Sequence, residues 1–161
     1  MEELDGIILL LANVKFKGKD IGLISEQGMT RGGTDAEYIE VTAAQRRAVV
    51  KRALKKMGTI EWSFRMIEMK AQNMVDIMGG SVDQERPGKW NAPAVESTLE
   101  GEFEIEAVTG QVIHAAKVEL TARPAGTIGG DDPYGADVTV RVAYDGVNSP
   151  YSIDNTALEE G

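Results

Sequence analysis

Apolar and polar residues alternate along four segments of this chain, and the alternation predicts four half-buried strands. Side chains two positions apart share one face of a strand, so each segment has one buried face and one wet face. The apolar positions are Ile60, Trp62, Phe64 and Met66; Leu99, Phe103, Ile105 and Ala107; Val112, Ala116, Val118 and Leu120; and Val138, Val140, Val142 and Tyr144. Together they predict a mainly β fold, an antiparallel β-sandwich or barrel.

The remaining segments predict one short flanking α-helix and several long interaction loops. Met74, Val75 and Met78 have helical spacing within 70–78, and Gly79-Gly80 supplies a C-terminal stop. A turn at 17–20 is expected to lead into a short strand at 21–25. Long loops are expected at 26–37, 80–93 and 123–135, which are rich in Gly, Pro and Asp. Residues 1–147 are predicted to form one domain, and 148–161 a C-terminal arm or mobile tail.

The segment 46–57 fits two conformations. Val49, Ala53 and Leu54 suit one face of a helix, whereas Val50, Arg52 and Leu54 suit an alternating strand, and periodicity leaves both open. The segment also carries a run of bases without an acid: Arg46, Arg47, Lys51, Arg52, Lys55 and Lys56. Residues 71–161, by contrast, contain 16 acids and 5 bases. This bipolar distribution favours a salt-bridged contact with an acidic partner surface.

Composition excludes several classes of site. The 26 acidic residues outnumber 17 basic ones, for a net charge of -9, which argues against a protein whose main task is to grip nucleic acid. The absence of cysteine excludes disulfides and thiolate metal sites.

No stretch approaches the roughly 18 apolar residues of a membrane span. The apolar run at 7–12 follows acidic residues, so no secretory signal is expected, and the protein is expected in a reducing cytoplasm or in a particle assembled there.

Two features of the sequence are candidates for a catalytic or metal-binding role. The single histidine, His114, is in phase with Val112 and Ala116 and is expected on the apolar side of its strand, as a general base or, more commonly, as a buried or rim residue. The alternating acids suggest a metal site, an acid pair, a solvated face or a selected negative surface; they are Glu100, Glu102, Glu104 and Glu106. No catalytic constellation emerges, so no enzyme activity, cofactor or metal is expected.

The order of these features resembles the tail tube (major tail) proteins of bacteriophages and their relatives in bacterial contractile injection systems. An N-terminal strand precedes Gly18-Lys19-Asp20-Ile21-Gly22 and a loop. A basic segment and Gly58-Thr59-Ile60-Glu61-Trp62-Ser63-Phe64-Arg65-Met66-Ile67-Glu68 follow, and then the helix at 73–78 closes on Gly79-Gly80. The likeness covers about residues 5–145.

The resemblance implies a protomer that assembles into hexameric rings, which stack into a hollow tube. Inner strands would close into one continuous barrel, and loops and arms would contact neighbouring rings. In a phage, DNA passes through such a tube without specific binding, and no membrane is involved. The implied partners are further copies of the chain and tape measure, sheath or tail-terminator proteins, in a virion tail assembled in the host bacterial cytoplasm.

The resemblance to tail tube proteins implies a role for the acidic segment at 100–106 and one for the basic segment at 46–56. The four glutamates at 100–106 are candidates for the lining of the lumen, since a tube that transports DNA must not hold it. The six basic residues at 46–56 are candidates for contacts between subunits. Six copies at -9 each would carry -54 formal charges, so attractive contacts must offset the repulsion.

Three other functions were considered. A tube of a type VI or other contractile secretion system would share the fold but carry protein cargo. A monomeric β-sandwich module that binds sugar or peptide would normally expose aromatic platforms, and aromatic residues make up only 6% of the chain. A glycosidase-like enzyme would need a cleft around its acid pair.

Overall fold

The computed structural model describes residues 8, 10–25, 27–45, 47–96, 98–131 and 133–155. This part of the chain forms an antiparallel β-sandwich with one short helix, as the alternation predicted. Its elements are β1 (Leu11–Phe16), β2 (Lys19–Asp20), β3 (Thr30–Gly32), β4 (Glu37–Ala43), β5 (Ala48–Lys56), β6 (Glu61–Met66), α1 (Ala71–Met78), β7 (Ser81–Val82), β8 (Trp90–Asn91), β9 (Leu99–Ala107), β10 (Val112–Ala125), β11 (Gly135–Val142) and β12 (Ser152–Asp154). Within the described ranges, no helix is long and apolar enough to cross a membrane.

The main sheet has the strand order β2-β1-β9-β10-β11-β6-β3, and every neighbouring pair is antiparallel. β11 pairs with the second half of β10, from Val118 onward. β12 pairs with the first half, over 112–114. The C-terminal segment, whose sequence has no periodicity, therefore adds a short strand to this sheet. The two edges of the sheet, β2 and β3, are only two and three residues long.

One face of this sheet carries the core. Phe103, Val118 and Val140 are among its fully buried side chains. Phe64 on β6 stacks with Phe103 on β9, with ring centroids 6.4 Å apart. Two strands lie between β6 and β9, and neighbouring strands are about 4.8 Å apart, so a flat sheet would separate the two by about 14 Å. The sheet therefore curls until its two halves face each other.

The helix α1 lies where the period predicted it. Ile77 and Met78 are buried in the core, and the backbone N–H of Gly79 donates to Val75 at 3.0 Å to end the helix. Gly79 has φ 78°, the left-handed conformation that glycine adopts without strain. The indole Nε1 of Trp90 donates to the Gly79 carbonyl at 2.8 Å, which ties the β7–β8 hairpin to the helix end.

The structure resolves the open assignment and corrects one strand. The segment at 48–56 is strand β5, not a helix, and it pairs with β4. The strand expected at 21–25 does not form; this stretch makes one isolated bridge, between Ile24 and Met66. Of the expected loops, 26–37 contains β3 and 80–93 contains β7 and β8, while β10 extends the sheet as far as Ala125.

Candidate functional site

The four glutamates of β9 form a row, called here the carboxylate row: Glu100, Glu102, Glu104 and Glu106. Phe103 and Ile105, which alternate with them, are buried in the core. The carboxylates therefore lie on the opposite, outer face of the sheet, and they are exposed or half-buried. The alternation read from the sequence is confirmed for this strand.

Flanking strands supply nitrogen partners to the carboxylate row. Lys15 Nζ on β1 lies 3.2 Å from Glu106 Oε1. Lys117 Nζ on β10 lies 3.9 Å from an oxygen of Glu100. The hydrogen bond to Glu106, and then its negative charge, raise the pKa of Lys15. The row is therefore partly neutralised at both of its ends.

A β-bulge in β10 places His114 on the same outer face. Ala115 is opposite Phe103 and Val118 is opposite Gly101, so two residues of β10 face Glu102 alone. The extra residue reverses the alternation upstream of the bulge. Ala115 and Val118 are both buried, whereas His114 points outward and its Nε2 lies 3.1 Å from Glu102 Oε1.

The expectation that His114 lies on the apolar side was therefore wrong. Its side chain is 35% exposed, and it sits opposite Glu104 in the pairing of β9 and β10. The bulge shifts the phase of the alternation. Ile113 and Ala115 alternate out of phase with Val118 and Leu120, and the prediction that Val112 and Ala116 share the apolar face overlooked this shift.

The second candidate surface is a long hairpin formed by β4 and β5, called here the projecting hairpin. Its described residues are exposed, except for half-buried Ala43. β4 and β5 make their extensive contacts with each other and belong to no larger sheet. The large apolar side chains that it exposes are Tyr38, Ile39, Val41, Val49, Val50 and Leu54. An apolar ribbon with both faces in solvent is marginally stable alone and typically marks an interaction surface.

The projecting hairpin leaves the sheet through a tightly packed neck. The backbone N–H of Thr59 donates to the Thr34 carbonyl at 3.0 Å, and the Thr34 N–H donates to the Thr59 hydroxyl at 2.9 Å. Gly33, at φ +127°, is so close to the segment at 59–60 that a Cβ would collide with the Thr59 carbonyl oxygen. At Gly58, a Cβ would lie 2.6 Å from the Thr34 carbonyl oxygen. The neck fixes the direction in which the hairpin points.

The basic residues predicted to contact other subunits lie on the projecting hairpin. Lys51, Arg52, Lys55 and Lys56 are on β5, and Arg47 is in the turn before it; all five are exposed. Arg52 Nε bonds Glu40 on β4 at 3.1 Å. Arg46 falls outside the described residues. Among the described residues, no ion pair joins the hairpin to the carboxylate row, so the chain presents them as two separate surfaces.

The sequence interpretation missed two features of these surfaces. Lys15 is about ninety positions before its partner Glu106, and only the pairing of β1 with β9 brings them together. A cavity of about 1,010 Å³ opens beside Trp62, between β1 and the segment at 20–31. Both features depend on contacts between distant parts of the chain, which local periodicity does not encode.

In comparisons with known proteins, no family model and no curated protein matches this sequence. A functional assignment therefore rests on the geometry of the two surfaces together with the sequence features. The projecting hairpin is the more informative of the two, because it exposes six large apolar side chains and belongs to no larger sheet.

Proposed function

We propose that this chain is the subunit of a self-assembling tube, in which hexameric rings stack around a lumen that conducts DNA. The observation that carries the proposal is the projecting hairpin. Its exposed apolar side chains would be buried if the hairpin packed against another copy, and burial of apolar area is the main driving force of association. The order of sequence features that resembles phage tail tube proteins supports the same conclusion.

Charge complementarity favours another copy of this chain as the partner. The hairpin presents five described basic residues and two acids, Glu37 and Glu40, whereas residues 71–161 carry 16 acids and 5 bases. A basic ribbon on one subunit and an acidic surface on the next would attract each other and fix their orientation. Contacts of this kind would also offset the repulsion between subunits that each carry a net charge of -9.

The carboxylate row is the proposed lining of the lumen. The row has four carboxylates and two lysine partners, Lys15 and Lys117, so it keeps an excess of two negative charges over these ammonium groups. A surface of this sign does not neutralise phosphates, so it would let DNA slide past rather than bind. The proposed cargo is DNA; a lumen for protein cargo, as in secretion systems, would share the same fold.

The test is assembly of the purified protein, followed by sedimentation velocity and negative-stain electron microscopy over a wide concentration range. Six-fold rings or tubes are the expected result. Ile39→Ser, on the projecting hairpin, should weaken assembly at least tenfold. Val108→Ser is the control, because Val108 is also an exposed aliphatic residue, at 61% accessibility, but lies in the turn between β9 and β10, outside the hairpin and the expected interaction loops. A 17.4 kDa monomer at every concentration, or equal behaviour of both variants, contradicts the proposal.

A further inference from the structure

A cluster of three metal-ligating side chains lies at the centre of the carboxylate row. Glu102, Glu104 and His114 each offer one ligand atom, and these atoms all lie within 4.8 Å of one another. They come from the neighbouring strands β9 and β10, where His114 is directly opposite Glu104. We infer that this triad binds one divalent transition-metal ion such as Zn²⁺.

The charges around the triad match a divalent cation. Lys15 lies 3.2 Å from Glu106 and Lys117 lies 3.9 Å from Glu100, so each end of the row has its own ammonium group. In the strand pairing Glu104 lies opposite His114 on β10 and Lys15 on β1, and Glu102 Oε1 lies 3.1 Å from His114 Nε2. The two carboxylates carry a charge of -2, which one divalent ion balances.

The ligand types select zinc over the alkaline-earth ions. Zn²⁺ takes histidine nitrogen and carboxylate oxygen at about 2.0–2.2 Å in a tetrahedral arrangement, and three protein ligands leave the fourth position for water. Two ligand atoms of such a tetrahedron are about 3.4 Å apart. His114 Nε2 and Glu102 Oε1 are 3.1 Å apart, close to that separation. Mg²⁺ and Ca²⁺ prefer oxygen ligands throughout and gain nothing from the imidazole.

The triad lies on two well-packed inner strands of the main sheet. β9 and β10 are inner strands of the main sheet, and the side chains behind the triad, Phe103 and Ala115, are each 1% exposed. The bulge after Ala115 is what turns His114 toward the glutamates. Bulges commonly re-aim a side chain next to a functional site. The ligands of the site come from one chain, so its test does not require assembly, although a bound divalent ion would cancel the two excess negative charges of the carboxylate row.

The experiment titrates ZnCl₂ into the full, untagged chain at pH 7.5, with isothermal titration calorimetry and nuclear magnetic resonance of the histidine ring. His114 is the only histidine, so its ring signals need no assignment by mutation. We expect one ion per chain and a shift of these signals on binding. His114→Ala and Glu102→Gln should each weaken binding at least tenfold. Glu119→Gln, five positions further along β10, removes a charge outside the triad and should change affinity less than twofold.

One further measurement separates a coordinated ion from ions gathered by an acidic surface. A hundredfold excess of CaCl₂ should leave Zn²⁺ bound. Displacement by calcium, unchanged histidine signals at saturating zinc, or no heat of binding at 100 µM protein would each overturn the inference.

Discussion

The indole of Trp62 stacks on the ring of Phe103, with centroids 5.8 Å apart and planes inclined by 25°. The two residues belong to β6 and β9, which β10 and β11 separate in the sheet. The edge of Tyr151 also meets the indole, with centroids 6.4 Å apart. This aromatic contact joins the two halves of the curled sheet, so it holds the outer face in the shape that carries the carboxylate row.

Removal of the Phe103 ring should therefore lower the free energy of unfolding substantially. Phe103 is 1% exposed, and substitutions of buried phenylalanine by alanine typically cost about 3–5 kcal/mol. We expect Phe103→Ala to lower the free energy of unfolding in urea by about that amount. Tyr144→Ala, at a side chain that is 66% exposed, should change it by less than about 0.5 kcal/mol. Similar small losses for both variants would mean that the sheet does not curl onto Phe103.

The glycine neck of the projecting hairpin gives a second prediction. Gly33→Ala should destabilise the neck by more than about 1 kcal/mol, because the new Cβ would collide with the Thr59 carbonyl and φ is +127°. Gly32→Ala is a matched control one residue earlier, where a Cβ meets nothing within 4 Å. Thermal unfolding followed by circular dichroism measures both. Equal melting temperatures for the two variants would exclude the tight neck.

Reversal of the hairpin charges tests its role in assembly. Under the proposed function, Lys51→Glu with Lys55→Glu should weaken association at least tenfold in sedimentation velocity, since two attractive contacts per subunit become repulsive. Lys19→Glu with Lys89→Glu makes the same change of charge at exposed positions away from the hairpin. High salt should reduce the difference between the pairs, because the screening length falls to about 3 Å at 1 M. Identical association constants for the two double variants would show that the charges of the hairpin do not drive assembly.

Stability at acid pH should depend on Glu68, which links the end of β6 to α1. Its carboxylate lies 2.8 Å from Lys70 Nζ and accepts the backbone N–H of Leu23 at 3.1 Å. The hydrogen bond from Lys70, followed by that from Leu23, lowers the pKa of Glu68 below its usual 4.5. Because the folded pKa is the lower one, the stabilisation is complete above about pH 5 and is lost as the pH falls through the folded value.

We therefore expect Glu68→Gln to be less stable than the parent protein at pH 7 and to approach it by pH 3. Urea unfolding at a series of pH values measures the difference. Lys70→Gln, which removes the largest cause of the shift, should reproduce part of the same pH dependence. A stability gap that stays constant from pH 7 to pH 3 would show that the carboxylate charge is not responsible.

The alternation of apolar and polar residues was sufficient to predict strands that have one buried and one exposed face. Along β9, glutamates alternate with Phe103 and Ile105, and this contrast predicts both the strand and its exposed side. β5 lacks that contrast because both of its faces are exposed, so its apolar residues suit a helix as well as a strand. Its pairing with β4 was decided by contacts that no periodicity within 46–57 contains.

The partners of the candidate site residues were harder to predict than the strands, because they come from distant parts of the chain. The positions of the four glutamates were predictable, but their partners were not, because Lys15, His114 and Lys117 reach them from other strands. The bulge in β10 reversed the predicted side of His114. The physical cause of this bulge is a pairing mismatch, in which two residues of β10 lie opposite one residue of β9.

The short edges of the main sheet have a consequence for solubility. β2 and β3 expose the backbone groups of only two and three residues to an incoming strand. Long exposed edges act as templates on which other chains add strand after strand and precipitate. With such short edges, strand addition at the two ends of the main sheet is suppressed, and the longer open edges are those of the projecting hairpin, whose strands have seven and nine residues. Substitutions that lengthen either edge strand would favour amyloid-like aggregates at the expense of the folded protein.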